Sequence, residues 1–184
     1  YLTPATPVSF TAADPRLAGT LAPGSGIWRI EVAVDGAPFA PYSSALLFPE
    51  GRHTVLYRSV DNVGNVSVEQ SLAVQSDATP PASTLAVGAP QHQLPDALHV
   101  STRTLFSLAA LDSMSNGVAS GVKDTFWRVA DLLPSTATFQ AYAAPFALSD
   151  SDAVKVIEFY SRDNVLNTEA AKSSVVLLDS TGPE

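Results

Sequence analysis

The chain of 184 residues contains no cysteine, which excludes a disulfide framework, thiolate metal ligation and a cysteine nucleophile. Basic side chains are few: ten Lys and Arg stand against eighteen Asp and Glu, a formal net charge of −8. Nucleic acid, whose phosphates need a basic face, is not an expected partner. No stretch approaches the roughly 18 consecutive apolar residues of a membrane helix, so no membrane insertion is expected. No charged-then-apolar leader opens the sequence either. Histidine is confined to positions 53, 92 and 99. There is no H-E-x-x-H, no G-x-S-x-G and no phosphate loop. Serines are common, but nothing sets a histidine base and an orienting acid beside one. No catalytic residue and no cofactor is assigned, and the chain is not expected to be an enzyme.

What is present is enough for a packed core: 46% of the residues are hydrophobic and 15% charged. Ten glycines and fourteen prolines divide the chain into many short elements rather than a few long helices. The alternation of apolar and polar residues has the period of a strand. Residues 6–14 place Val8, Phe10 and Ala12 on one face. Residues 27–35 place Trp28, Ile30, Val32 and Val34 together, and Asp35-Gly36 is a hairpin-type turn. Further strands are expected at 39–47, 53–60 and 66–74.

The series then repeats. Phe106 and Leu108 answer Val8 and Phe10, and Asp112 answers Asp14. Ser120-Gly121-Val122 answers Ser25-Gly26-Ile27, and Trp127 takes the inward place of Val32. Tyr142 answers Tyr42, and Val156-Ile157-Glu158-Phe159 leads to a second copy of the stretch that follows residues 53–56. Elements kept in one order at a spacing of about 95–102 residues are a tandem duplication. Each copy needs two sheets, because an alternating strand has one apolar face to bury. The fold expected is therefore all-β, two tandem immunoglobulin-like β-sandwiches over residues 1–78 and 79–184. Residues 83–87 and 98–101 precede the first shared strand of the second copy, whereas Tyr1-Leu2-Thr3 answers only His99-Val100-Ser101. The first sandwich is expected to lack its opening strand, leaving a sheet edge open for pairing.

The most similar stretches are 57–65 and 159–167, which share a serine, an Asp-Asn pair and a closing Asn. Asp61 and Asp163 stand where alternation stops and can accept backbone N–H groups in a chain reversal. Asn62, Gly64, Asn65, Asn164 and Asn167 complete the two turns. Leu166 replaces the glycine, so Asn164 or Asn167 is expected at the left-handed position of the second copy. Calcium is the alternative use of Asp14, Asp61, Asp112 and Asp163, as hard oxygen ligands. An EF-hand loop, however, would want an oxygen where Val63 and Val165 stand. Trp28 and Phe126 are read first as core residues. They are also the candidates for contact with a glycan or a surface protein, since neither aromatic is repeated in the other copy.

The S-x-D-N-x-G-N turn (59–65), the S-G-[IV] motif (25–27, 120–122) and the D-x-T-P-P linker (77–81) resemble those of tandem bacterial Ig-like repeat domains. The resemblance covers nearly the whole chain, twice. It implies an extracellular or cell-surface setting and a structural, spacer or adhesive role, in a fibre for example, or an accessory role beside an enzyme. The implied partners are neighbouring repeats of the same chain or like subunits. No site residue is carried over, because the shared motifs are turns and linkers.

Overall fold

The computed structural model describes residues 1–15, 19, 22–131, 136–149 and 151–182. Residues 16–18, 20 and 21 of the loop between Pro15 and Gly26, and Pro183 of the closing linker, fall outside these residues. All regular structure among them is β. No helix of the described residues is long and apolar enough to cross a membrane. Two compact units form: Tyr1–Ala78 with Met114–Val118, and Thr79–Ser113 with Ala119–Glu184.

The second unit is the fuller sandwich. Its strands are β5 (Ala82–Val87), β6 (Gln91–Gln93), β7 (Leu98–Val100), β8 (Phe106–Leu111), β9 (Val122–Ala130), β10 (Gln140–Ala141), β11 (Ala153–Asp163) and β12 (Lys172–Leu178). Six of them make one sheet in the order β10-β9-β11-β12-β7-β6, and β5 pairs with β8 in the other. β5 and β8 run antiparallel with Val87 opposite Phe106 and Leu85 opposite Leu108. Alternation turns these residues inward, onto Ile157 and Phe159 of β11 and Val176 and Leu178 of β12. Trp127 lies inward opposite Phe159 and stacks on Phe146 at 3.4 Å between centroids.

The first unit holds one four-stranded sheet, ordered β2-β1-β3-β4. Its strands are β1 (Ile27–Val34), β2 (Ala40–Pro41), β3 (Gly51–Asp61) and β4 (Gln70–Ser76). Val32, Phe48, Val55 and Val74 form its buried core, with Val8, Phe10, Tyr42 and Tyr57 packed partly buried against them. Leu2 bridges Ser76 in parallel, as β7 runs parallel to β12. Among the described residues the first unit has no counterpart of β5 or β6. The strand expected at 6–14 is reduced to one bridge between Val8 and Leu46, because a strand needs partners to define it. The strands expected at 39–47 and 66–74 are shorter, with β4 beginning at Gln70.

Two expectations are corrected. Trp28 is not on the core face: it is 59% exposed. Ile27 pairs with Asp61 and Arg29 with Val60, so the register slips by one at Trp28. The bulge turns Trp28 out of the alternation that places Ile30 and Val32 inside. The second copy bulges at the same place, Val122 pairing with Asp163 and Asp124 with Arg162. The left-handed residue of the second turn is neither Asn164 nor Asn167 but Leu166 itself, at φ 72°. The turn geometry is set by Asp163 and the strand ends, so the position stays left-handed whichever residue occupies it.

Candidate functional site

The paired Asp-Asn turns are the most closely repeated feature, and their chemistry is directed at the backbone. Asp61 Oδ1 accepts N–H groups from Val63 (2.9 Å) and Asn65 (2.8 Å), while Oδ2 accepts Asn65 Nδ2 (2.7 Å). Asp163 repeats the set with Val165 (3.0 Å), Asn167 N (2.8 Å) and Asn167 Nδ2 (2.7 Å). Burial pushes the Asp61 carboxyl up, but the bonds from Asn65, Val63 and Ser25 outweigh it and hold the group below its ordinary value.

The S-G-[IV] motif proves to be the other half of the same construction. Gly26 and Gly121 have φ of 85° and 88°, a conformation that favours glycine. Asp14 Oδ2 accepts the Gly26 N–H at 2.8 Å, and Asp112 Oδ2 accepts that of Gly121 at 2.6 Å. Asn62 Nδ2 donates to the Ser25 carbonyl (2.9 Å) and Asn164 Nδ2 to that of Ser120 (2.8 Å). The backbone N–H groups of the same asparagines reach the Gly26 and Gly121 carbonyls at 3.0 Å. Three motifs far apart in sequence thus close one knot at the bulged start of β1 and of β9. Sequence gave each motif separately; their order-for-order repetition was the available signal that they meet.

Of the four aspartates considered for calcium, Asp112 and Asp163 offer carboxylate oxygens within 4.8 Å of one another. Asp163 is fully buried, and both its oxygens already take the turn donors given above. Asp112 Oδ2 holds the Gly121 N–H at 2.6 Å.

His53 belongs to a repeated pairing of a basic side chain with a carboxylate. Its Nδ1 lies 2.8 Å from Asp35 Oδ2 and its Nε2 3.0 Å from the Pro49 carbonyl oxygen. Lys155, at the corresponding place in β11, donates to Asp131 Oδ1 at 2.6 Å. What is repeated is a cation against a carboxylate at the end of the β-hairpin, not the residue type. Position-by-position comparison of the copies therefore missed it.

The aromatic candidates lie on outer sheet faces. Arg29 stands 3.8 Å from the Trp28 ring centroid and pairs with Glu31 at 2.5 Å; Arg58 also pairs with Glu31 (2.8 Å) and covers Phe39 at 4.0 Å. Hydrogen bonds from Arg58 and Arg29 hold the Glu31 carboxyl below its ordinary value. In the second unit Phe126 is half-buried on the outer face rather than in the core. It stacks on Tyr160 (5.1 Å), which meets Phe139 edge-on (4.9 Å). A cleft of about 270 Å³ opens beside them, lined by Phe139, Tyr160, Arg162 and Thr168 among others.

No protein-family model matches the chain, and no curated protein matches it. In fold it is similar to a solved structure of fibronectin(III)-like modules of CbhA from Clostridium thermocellum. The TM-score is 0.39 at 14% identity, covering 95% of this chain and 94% of that one.

Proposed function

We propose that the chain is a non-catalytic pair of Ig-like modules acting as a spacer or adhesive segment of an extracellular or cell-surface protein. Its partners are neighbouring repeats of the same chain or like subunits. One observation carries this reading: the polar residues kept in both copies are spent on the fold. Asp14 and Asp112 hold a glycine amide, Asp61 and Asp163 hold a turn, and Asn62 and Asn164 tie the two together. A duplicated catalytic or metal site would instead keep groups aimed at open space. The test is a screen of the purified, folded chain on glycan arrays and on generic hydrolase substrates. Silence in both is expected. Turnover abolished by replacing a single carboxylate would overturn the reading.

A second reading, a glycan- or protein-binding accessory module, is favoured by the exposure of Trp28 and by the cleft beside Phe139 and Tyr160. Stacking on a sugar requires a free ring face. Arginines already cover one face of Trp28 and of Phe139, which weakens this reading relative to the first. Saturable glycan binding lost on Trp28→Ala would install it.

A further inference from the structure

The three histidines differ in what their rings do. His53 has both nitrogens engaged, by Asp35 and by the Pro49 carbonyl. The rings of His92 and His99 make no hydrogen bond to any described residue. Both lie in the second unit, on the β6–β7 hairpin, and the antiparallel register sets them directly opposite each other.

Alternation decides which way they point. Leu98 and Val100 pack on the core of the second unit, so His99 between them turns to the outer face of the sheet. His92, its cross-strand partner, shares that face; it is exposed and His99 is half-buried. On the other side of β7, β12 runs parallel, with Leu178 beside Val100. Leu178 belongs to the core, and the next residue, the exposed Asp179, turns outward. The Asp179 N–H donates to the Val100 carbonyl at 2.9 Å, which fixes its backbone against β7. A cavity of about 220 Å³ joins His92, His99 and Asp179, with Pro90, Gln91 and Ser101 in its wall.

The hairpin that carries the pair is held at both ends. The Leu94 N–H donates to the Ala97 carbonyl at 2.9 Å, and Gln93 Nε2 donates to the Leu94 and Ala97 carbonyls at 2.6 and 3.3 Å. At the other end Gln91 Nε2 donates to the Val87 carbonyl at 2.9 Å, and the Thr104 hydroxyl donates to the Pro90 carbonyl. The two histidine backbones are thereby fixed in register. Side chains directly opposite on antiparallel strands have Cβ atoms about 4.5–5.5 Å apart. From such positions two imidazoles can each bring a nitrogen to about 2.0–2.1 Å from one metal ion. The Asp179 carboxylate beside them takes only long bonds from Thr181, at 3.3 and 3.5 Å.

We infer that His92 and His99 form a binding site for one divalent transition metal ion, of the class of Zn²⁺ and Cu²⁺. Neutral imidazole suits these ions, whereas calcium and magnesium take oxygen ligands. The two imidazoles are the protein ligands, Asp179 adds a negative charge beside them, and water completes the coordination. The bound ion joins β6, at the edge of the six-stranded sheet, to its neighbour β7 through their side chains. Binding therefore stabilises the second unit. The site is separate from the Asp-Asn turns, and it stands whether the chain serves as a spacer or as a binder.

The experiment titrates Zn²⁺ into the whole, untagged chain and follows it by calorimetry and by NMR of the imidazole side chains. One ion per chain is expected, with shifts at the His92 and His99 rings and a rise in the melting temperature of the second unit. His92→Gln or His99→Gln should each weaken binding at least about tenfold, because a lone imidazole loses the advantage of a second one held beside it. Asp179→Asn should weaken it less, and His53→Gln should leave it unchanged. Melting of the metal-free variants checks that each is folded, and excess calcium should not compete. Zn²⁺ binding at full strength to a chain carrying both His92→Gln and His99→Gln would overturn the proposal. So would shifts centred on Asp112 and Asp163, or the absence of ring shifts at millimolar Zn²⁺.

Discussion

Asp163 shows how much one side chain can hold in this protein. It is fully buried and satisfies two backbone N–H groups and one amide at the mouth of the β11–β12 turn. Asp163→Ala leaves those donors unpaired, a loss of about 1–3 kcal/mol, read as a lower melting temperature of the second unit. Asp163→Asn, which keeps one carbonyl acceptor, should cost less. Leu166 gives a contrast of opposite sign. It is 54% exposed at φ 72°, where a non-glycine residue costs about 1–2 kcal/mol. Leu166→Gly removes that strain against about 0.5–1 kcal/mol of added chain entropy, so the variant should be up to about 1.5 kcal/mol more stable. Gly64, at φ 89° with open space around it, should show the reverse: Gly64→Leu destabilises the first unit although nothing clashes. Denaturant titration of both variants measures the pair.

At the scale of the element, β3 carries a pH dependence. The hydrogen bond to Asp35 raises His53 above its ordinary 6.5, against a smaller opposing effect of burial. Asp35 is held below its ordinary 3.8, by His53 first and then by the Thr54 N–H. The histidine's contribution is complete below about pH 6.5 and fades as pH rises through its raised value. The aspartate's is present above about pH 3.8 and fades as pH falls through its depressed value. The pair therefore stabilises most between those limits. His53→Gln should lower the melting temperature of the first unit more at pH 5.5 than at pH 8.5, while unfolding of the second unit is indifferent to it. The same hairpins show what alternation hides. A period-two reading of residues 27–35 placed Trp28 with Ile30, and the one-residue bulge reversed that assignment for Trp28 alone.

For the molecule as a whole, the two units should not melt together. Among the described residues the largest cluster of mutually packed, buried apolar residues has eight members in the second unit and four in the first. The lateral strands that complete the former have no described counterpart in the latter. Calorimetry should resolve two transitions, the lower belonging to the first unit. A single transition with equal melting of both sets of amides would contradict this.

The sequence by itself determined the strand-rich architecture, the duplication and the place of the turns. These depend on local rules: period-two burial, the hydrogen-bonding reach of a short carboxylate, and the order of motifs along the chain. Only the tertiary structure decided that Asp14, Gly26 and Asn62 form one knot, that Trp28 leaves the core, and that Leu166 bears the left-handed strain. Each of these depends on what lies opposite a residue after the chain has doubled back, and sequence separation carries no record of that distance.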